Sequence, residues 1–267
     1  MTVAVFGAAG KTGRAVTAAL RARGVPVRAL VRRIEQARAL RADGVEPVLA
    51  ELPAIGAALD GMDGAYLIAP NMHPDEPGLV REVVEFAGRT PGFRLAYHSV
   101  MHPYAPAMPH HLGKAGVEAA LHDSPADWTV LQPASYFENV EGVWASIRDG
   151  VWPVPYSADS RFTPVALADV AQVAARVLTE PGHSYASYEL AGPDLLSTND
   201  MAETAGSVLG IGVRTERVRP QVPPLLQLMF DYYDRSGFAG GPHVLRTLLD
   251  RPATDWASWV RARTTQP

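Results

Sequence analysis

Cysteine is absent from all 267 residues. Its absence excludes disulfides, thiolate nucleophiles and cysteine-based zinc sites, leaving His, Asp and Glu as the remaining ligand types. Long apolar runs are missing as well. None approaches a membrane span, and Met1 leads into a short strand-like run with no basic-then-apolar leader. A cytoplasmic protein without membrane association is the expectation. Charged residues make up 19% of the chain and hydrophobic ones 47%. That is enough apolar material for one large α/β domain, or one domain plus a small cap, around a sizeable core. There is no internal repeat and no low-complexity tract.

The net charge of −4 hides a local asymmetry, because residues 1–42 carry nine basic side chains against one acid, Glu35. A basic segment in an otherwise acidic chain points to an anionic partner held locally, not to a nucleic-acid surface. Part of the run is expected to be solvated helix face.

Residues 2–6, 25–31, 45–49, 65–69, 94–100 and 128–131 read as strands. Between them, residues 12–23, 34–42, 79–87 and 114–122 read as helices. This alternation predicts an α/β fold, a Rossmann-type doubly wound parallel sheet with both faces covered. After about Pro133 the rhythm breaks into aromatic-rich pieces, with helices at 167–178 and 199–209. The expected division is a dinucleotide-binding domain over 1–135, to which later segments return. Residues 136–267 are expected to form a small mixed α/β substrate-binding cap with C-terminal helices, over the strand ends where such sheets bind ligands.

Gly7, Gly10 and Gly13 stand at every third position between the first strand and the first helix, in the run Gly7-Ala8-Ala9-Gly10-Lys11-Thr12-Gly13. The first glycine permits a tight turn, the second lets the backbone approach a pyrophosphate, and the third lets helix pack on strand. The helix N-terminus then offers N–H groups to the phosphates. NAD-binding units place an acid at the end of the second strand; here Arg32 and Arg33 stand there, with Glu35 close by. Guanidinium suits a 2′-phosphate, so NADP(H) is expected over NAD(H).

These blocks together resemble the NmrA-like branch of the atypical short-chain dehydrogenases/reductases. The likeness is carried by the glycine loop and by 27–32 (VRALVR), 59–64 (LDGMDG), 97–103 (YHSVMHP) and 110–118 (HHLGKAGVE). It continues through 128–139 (WTVLQPASYFEN), 164–171 (PVALADVA), 188–193 (YELAGP) and the closing region at 248–259. Members of this branch include NADPH-dependent quinone and dye reductases, relatives that reduce plant phenolics, and redox-sensing regulators. The resemblance implies a family fold and an NADP(H) cofactor, and it does not imply a substrate. It implies cofactor contacts at Gly7, Ala9, Gly10, Lys11, Thr12, Gly13, Arg32 and Arg33. Further contacts are implied at Glu51, Leu52, Ala69, Pro70, Ser99, Lys114, Pro133 and Tyr136. One departure stands out: the family usually has Gly-Asp-Leu after the third strand, where this chain has Ala50-Glu51-Leu52.

The commoner short-chain enzymes set a tyrosine four residues before a lysine. Here His110 and His111 precede Lys114, and no tyrosine occupies that turn. The expected catalytic set is Lys114 and Ser99 at the nicotinamide end, with His111 or Tyr136 assisting proton delivery. Aromatic residues including Tyr136, Phe137, Trp152, Tyr156, Phe162, Phe230 and Tyr233 line a substrate pocket or pack a core. His73, His98, His102, His110 and His111 invite a metal, but no HExxH spacing occurs and Pro103, Pro106 and Pro109 interrupt the loop, so none is expected.

The expected function is NADPH-dependent reduction of a quinone, enone or carbonyl in a small hydrophobic molecule by a monomer or homodimer. The rivals are a non-catalytic redox sensor, which would need a protein partner, and a redox-neutral dehydratase or cyclase on the same scaffold.

Overall fold

The computed structural model describes residues 1–42 and 45–265; residues 43, 44, 266 and 267, which the expected domains include, lie outside these. Six strands pair in parallel: β1 (Val3–Val5), β2 (Val27–Val31), β3 (Glu46–Leu49), β4 (Gly64–Leu67), β5 (Arg94–His98) and β6 (Asp127–Pro133). Their order is β3-β2-β1-β4-β5-β6, and the strand Ala186–Leu190 completes a seven-stranded sheet beyond β6. Every residue of β1 and β4 is buried, whereas β3, at the edge, is not. That is why the central strands are unbroken apolar runs and not alternating ones. The order reverses between β1 and β4, which opens a crevice at the carboxyl ends of the strands.

Four helices follow in chain order: α1 (Lys11–Ala22), α2 (Ile34–Ala42), α3 (Glu76–Arg89) and α4 (Pro109–His122). α1 turns Val16 and Leu20 into the sheet. α3 starts at Glu76, ahead of the apolar periodicity at Leu79, because Asp75 caps it by accepting from Gly78 N at 2.9 Å. α4 likewise starts at Pro109. Proline lacks an N–H but fits the first helical position, so the residue expected to interrupt a loop opens a helix instead. Phe6, Leu30, Leu67, Leu95, Tyr97, Val117, Leu121 and Trp128 belong to the core of this part.

The chain forms two compact units. The first comprises Met1–Ala105, His110–Gln132 and Val170–Tyr188; the second comprises Pro106–Pro109, Pro133–Asp169 and Glu189–Pro267. Within the second, Phe137, Trp144, Trp152 and Trp256 share a core, and the Trp256 and Trp259 rings stack 5.1 Å apart. Tyr156, Phe162, Tyr233 and Phe238 pack edge to face or tilted in another group. Of the aromatics weighed for a substrate pocket, Phe137, Trp152, Phe162 and Tyr233 are therefore buried packing residues. Asp169, with no exposed surface, accepts from Arg251 Nη2 at 2.7 Å and Thr254 N at 2.6 Å, which anchors the C-terminal segment.

Candidate functional site

The chain leaves β1 through Gly7, whose φ of 60° is one that side-chain-bearing residues rarely adopt. Gly13, in the first turn of α1, has a different reason to be glycine: a Cβ there would lie 2.3 Å from the Gly7 carbonyl oxygen. The loop and the helix can approach this closely only without it. Gly10 caps α1 with no side-chain acceptor, and the first helical turn holds no acid. The positive end of the helix is thus left to an external anion.

The turns that follow β1, β2, β3 and β4 enclose a cleft of about 500 Å³. Gly7, Ala9, Gly10, Lys11, Thr12, Gly13, Arg32, Arg33, Glu51, Leu52, Ala69 and Pro70 all line it. Sequence reading had not singled out Phe6, Leu30, Val31, Gln36, Ala50 and Ile68, which line it as well. Glu35 does not border this cleft. Arg32 Nη1 stands 3.8 Å from Glu51 Oε1, and Gln36 Oε1 accepts from Arg33 N at 3.2 Å. Uncapped helix N–H groups, two arginines and the apolar residues Val31, Leu52 and Ile68 make a lining that fits a dinucleotide.

A second polar cluster lies in the same unit, around the end of β5. Glu76, at the start of α3, is buried and accepts from Tyr97 Oη at 2.6 Å and from Lys114 Nζ at 2.9 Å. Lys114 Nζ also points at the His98 carbonyl oxygen at 3.4 Å and lies 5.6 Å from the centre of the Tyr97 ring. An ammonium carries three N–H donors, so one remains for a ligand hydroxyl. Burial, then the adjoining Glu76 carboxylate, pushes the Tyr97 phenol up and keeps it protonated. One helical turn beyond Lys114, Glu118 accepts from Ser99 Oγ and from Gln132 Nε2, the latter at 3.0 and 2.9 Å to its two oxygens.

Lys114 and Ser99 thus each join a cluster around a buried carboxylate, Lys114 with Glu76 and Tyr97, Ser99 with Glu118 and Gln132, and sequence reading had passed over these four partners. The i, i+4 spacing of Lys114 and Glu118 on α4 offers a local pair, but Lys114 pairs with Glu76 instead. His111 lies on the same helix, buried, and its Nδ1–H donates to the His102 carbonyl at 3.2 Å. Burial pulls its pKa down to about 4, so the ring is neutral at pH 7. An imidazolium acid at this position is disfavoured. His98 is likewise pulled down to about 3 by burial and is hydrogen-bonded to the Tyr66 hydroxyl. His73 accepts from Asp75 N. Among the described residues no group of three or more His, Asp or Glu is placed to hold a metal. Pro133 and Tyr136 fall in the second unit, where Tyr136 precedes the short turn Phe137–Val143 and bridges to Val165.

A family model described as the NmrA-like family matches residues 1–235. The chain belongs to the NmrA-like family. This NmrA-like protein is 29% identical over 218 residues to the NAD(P)H azoreductase of Xenophilus azovorans, across 79% of this chain and 75% of that enzyme. It is 30% identical over 210 residues to quinone oxidoreductase 2 of Escherichia coli strain K12, across 75% of this chain and 72% of that one. Among solved structures it resembles the Escherichia coli NADPH-dependent quinone oxidoreductase complexed with NADPH. The TM-score is 0.83 at 25% identity, covering 99% of this chain and 100% of that one. No helix among the described residues is long and apolar enough to cross a membrane.

Proposed function

We propose that this NmrA-like protein is an NADPH-dependent reductase of a quinone or a related conjugated carbonyl in a small hydrophobic molecule. The observation that carries the reading is the cleft, where an uncapped helix N-terminus, Arg32 and Arg33 line one space. The similarity to quinone and azo reductases supports the acceptor class.

In this reading the loop from Gly7 to Gly13 would hold the diphosphate, and Arg32 and Arg33 the 2′-phosphate. Lys114, immobilised by Glu76, would offer its remaining N–H to the nicotinamide ribose, and Ser99 would hold the same end. Bound there, the reduced nicotinamide supplies a hydride, and a proton from solvent completes the two-electron reduction. A quinone needs little acid help, which accommodates both the missing tyrosine before Lys114 and a His111 ring that is neutral at pH 7.

The test is fluorescence titration with NADPH and NADH, followed by the loss of reduced-nicotinamide absorbance with a panel of quinones, enones and azo dyes. Tighter binding of NADPH and acceptor-dependent loss are expected. Tight binding without loss across the whole panel would overturn the reductase reading.

A further inference from the structure

Arg32 and Glu51 reach the same cleft from the turns that follow two neighbouring strands. The β2–β3 register pairs Val31 with Leu49, and Ala50 N donates to the Val31 carbonyl at 3.0 Å. The residues that continue these strands into the cleft lining are Arg32, just after β2, and Ala50 and Glu51, after β3, with Arg32 Nη1 and Glu51 Oε1 3.8 Å apart. Both are well exposed, at 61% and 68%, so the pair contributes little to stability and yields readily to a better ligand. Its effect is on what else Arg32 can bind. A carboxylate placed against this guanidinium competes with any phosphate for it, and once the phosphate has bound, the carboxylate stays close by as a like charge.

We infer that Glu51 tempers the cofactor selectivity of the cleft: it is the internal rival of the 2′-phosphate for Arg32 and holds NADP(H) affinity below what the arginines alone would give. The inference rests on the cofactor reading above. It assigns Glu51 a role opposed to that of a cofactor acceptor, since a hydrogen-bond acceptor for adenine would favour both dinucleotides equally. NADH has only hydroxyls on that ribose, so Glu51 costs it no charge repulsion.

The experiment is titration of wild type, Glu51→Gln and Glu51→Ala with NADPH and with NADH, by nicotinamide fluorescence at low and at high salt. Glu51→Gln should tighten NADPH about fivefold at low salt, the scale of one screened charge–charge repulsion. The gain should fall below about twofold near 1 M salt, where the screening length is about 3 Å. NADH affinity should stay within about twofold of wild type in both variants, because it lacks the repelled charge. Glu51→Ala should match Glu51→Gln for NADPH, which separates lost charge from a new amide contact. Weaker binding of both cofactors by the variants would overturn the inference and make Glu51 an acceptor for the adenosine. An equal gain for both cofactors, or a gain indifferent to salt, would overturn it too. Failure of wild type to bind either dinucleotide would instead overturn the cofactor reading on which it rests.

Discussion

Lys114 and Glu76 are joined by a 2.9 Å ion pair in which the two side chains are only 13% and 3% exposed. The lysine comes from α4 and the carboxylate from the first turn of α3, so the pair ties two helices together where both face β5. Removing one partner strands a buried charge, which costs far more than an exposed pair gains. Lys114→Met should destabilise the fold by about 3 kcal/mol in a urea titration, and adding Glu76→Gln should recover much of that loss. An unchanged midpoint in Lys114→Met would show that the carboxylate is solvated in solution.

Gly13→Ala tests the close packing of the glycine loop. The new methyl would overlap the Gly7 carbonyl oxygen, so α1 must shift from the strand it packs against. A loss of about 1–3 kcal/mol of stability is expected from such overpacking, with NADPH affinity falling alongside. Full retention of both would mean that the loop relaxes freely.

Arg32→Ala should weaken NADPH binding by about 1.5–3 kcal/mol and leave NADH nearly unaffected, the range of a charge-assisted hydrogen bond. Equal losses for both cofactors in the fluorescence titration would refute the assignment of Arg32 to the 2′-phosphate.

Stability should fall on mild acidification. Burial depresses His98 to about 3 and His111 to about 4, below the ordinary value of 6.5. Between about pH 6.5 and pH 4 the unfolded chain therefore binds protons at these positions that the native state does not. Their stabilising contribution is complete above 6.5 and is lost as pH falls through the window toward the folded values. Each ring adds at most about 1.4 kcal/mol per pH unit to the slope. Urea unfolding at pH 7, 6 and 5 measures it, and His111→Gln should flatten it. A slope unchanged by that substitution would place the acid sensitivity elsewhere.

The sheet was legible because parallel strands covered on both faces are mostly apolar, and 2–6 and 65–69 read that way in the sequence. Helix starts were less so. The apolar periodicity of α3 begins at Leu79, but the Asp75 cap and Pro77 carry the helix back to Glu76. Pro109 reads as a breaker until its place at a helix start is known.

The sequence by itself determined the glycine-loop turn, the strand–helix rhythm and the pair of arginines at the end of β2. Each rests on local backbone geometry or on spacing along one element, which a linear pattern records. Only the tertiary structure decided that Glu76 would meet Lys114 across 38 residues, that Glu118 would gather Ser99 and Gln132, and that Arg32 would face Glu51. Those pairings depend on strand order, register and helix packing. A buried charge is tolerable only once these have brought its partner within hydrogen-bonding distance, and no local pattern encodes that distance.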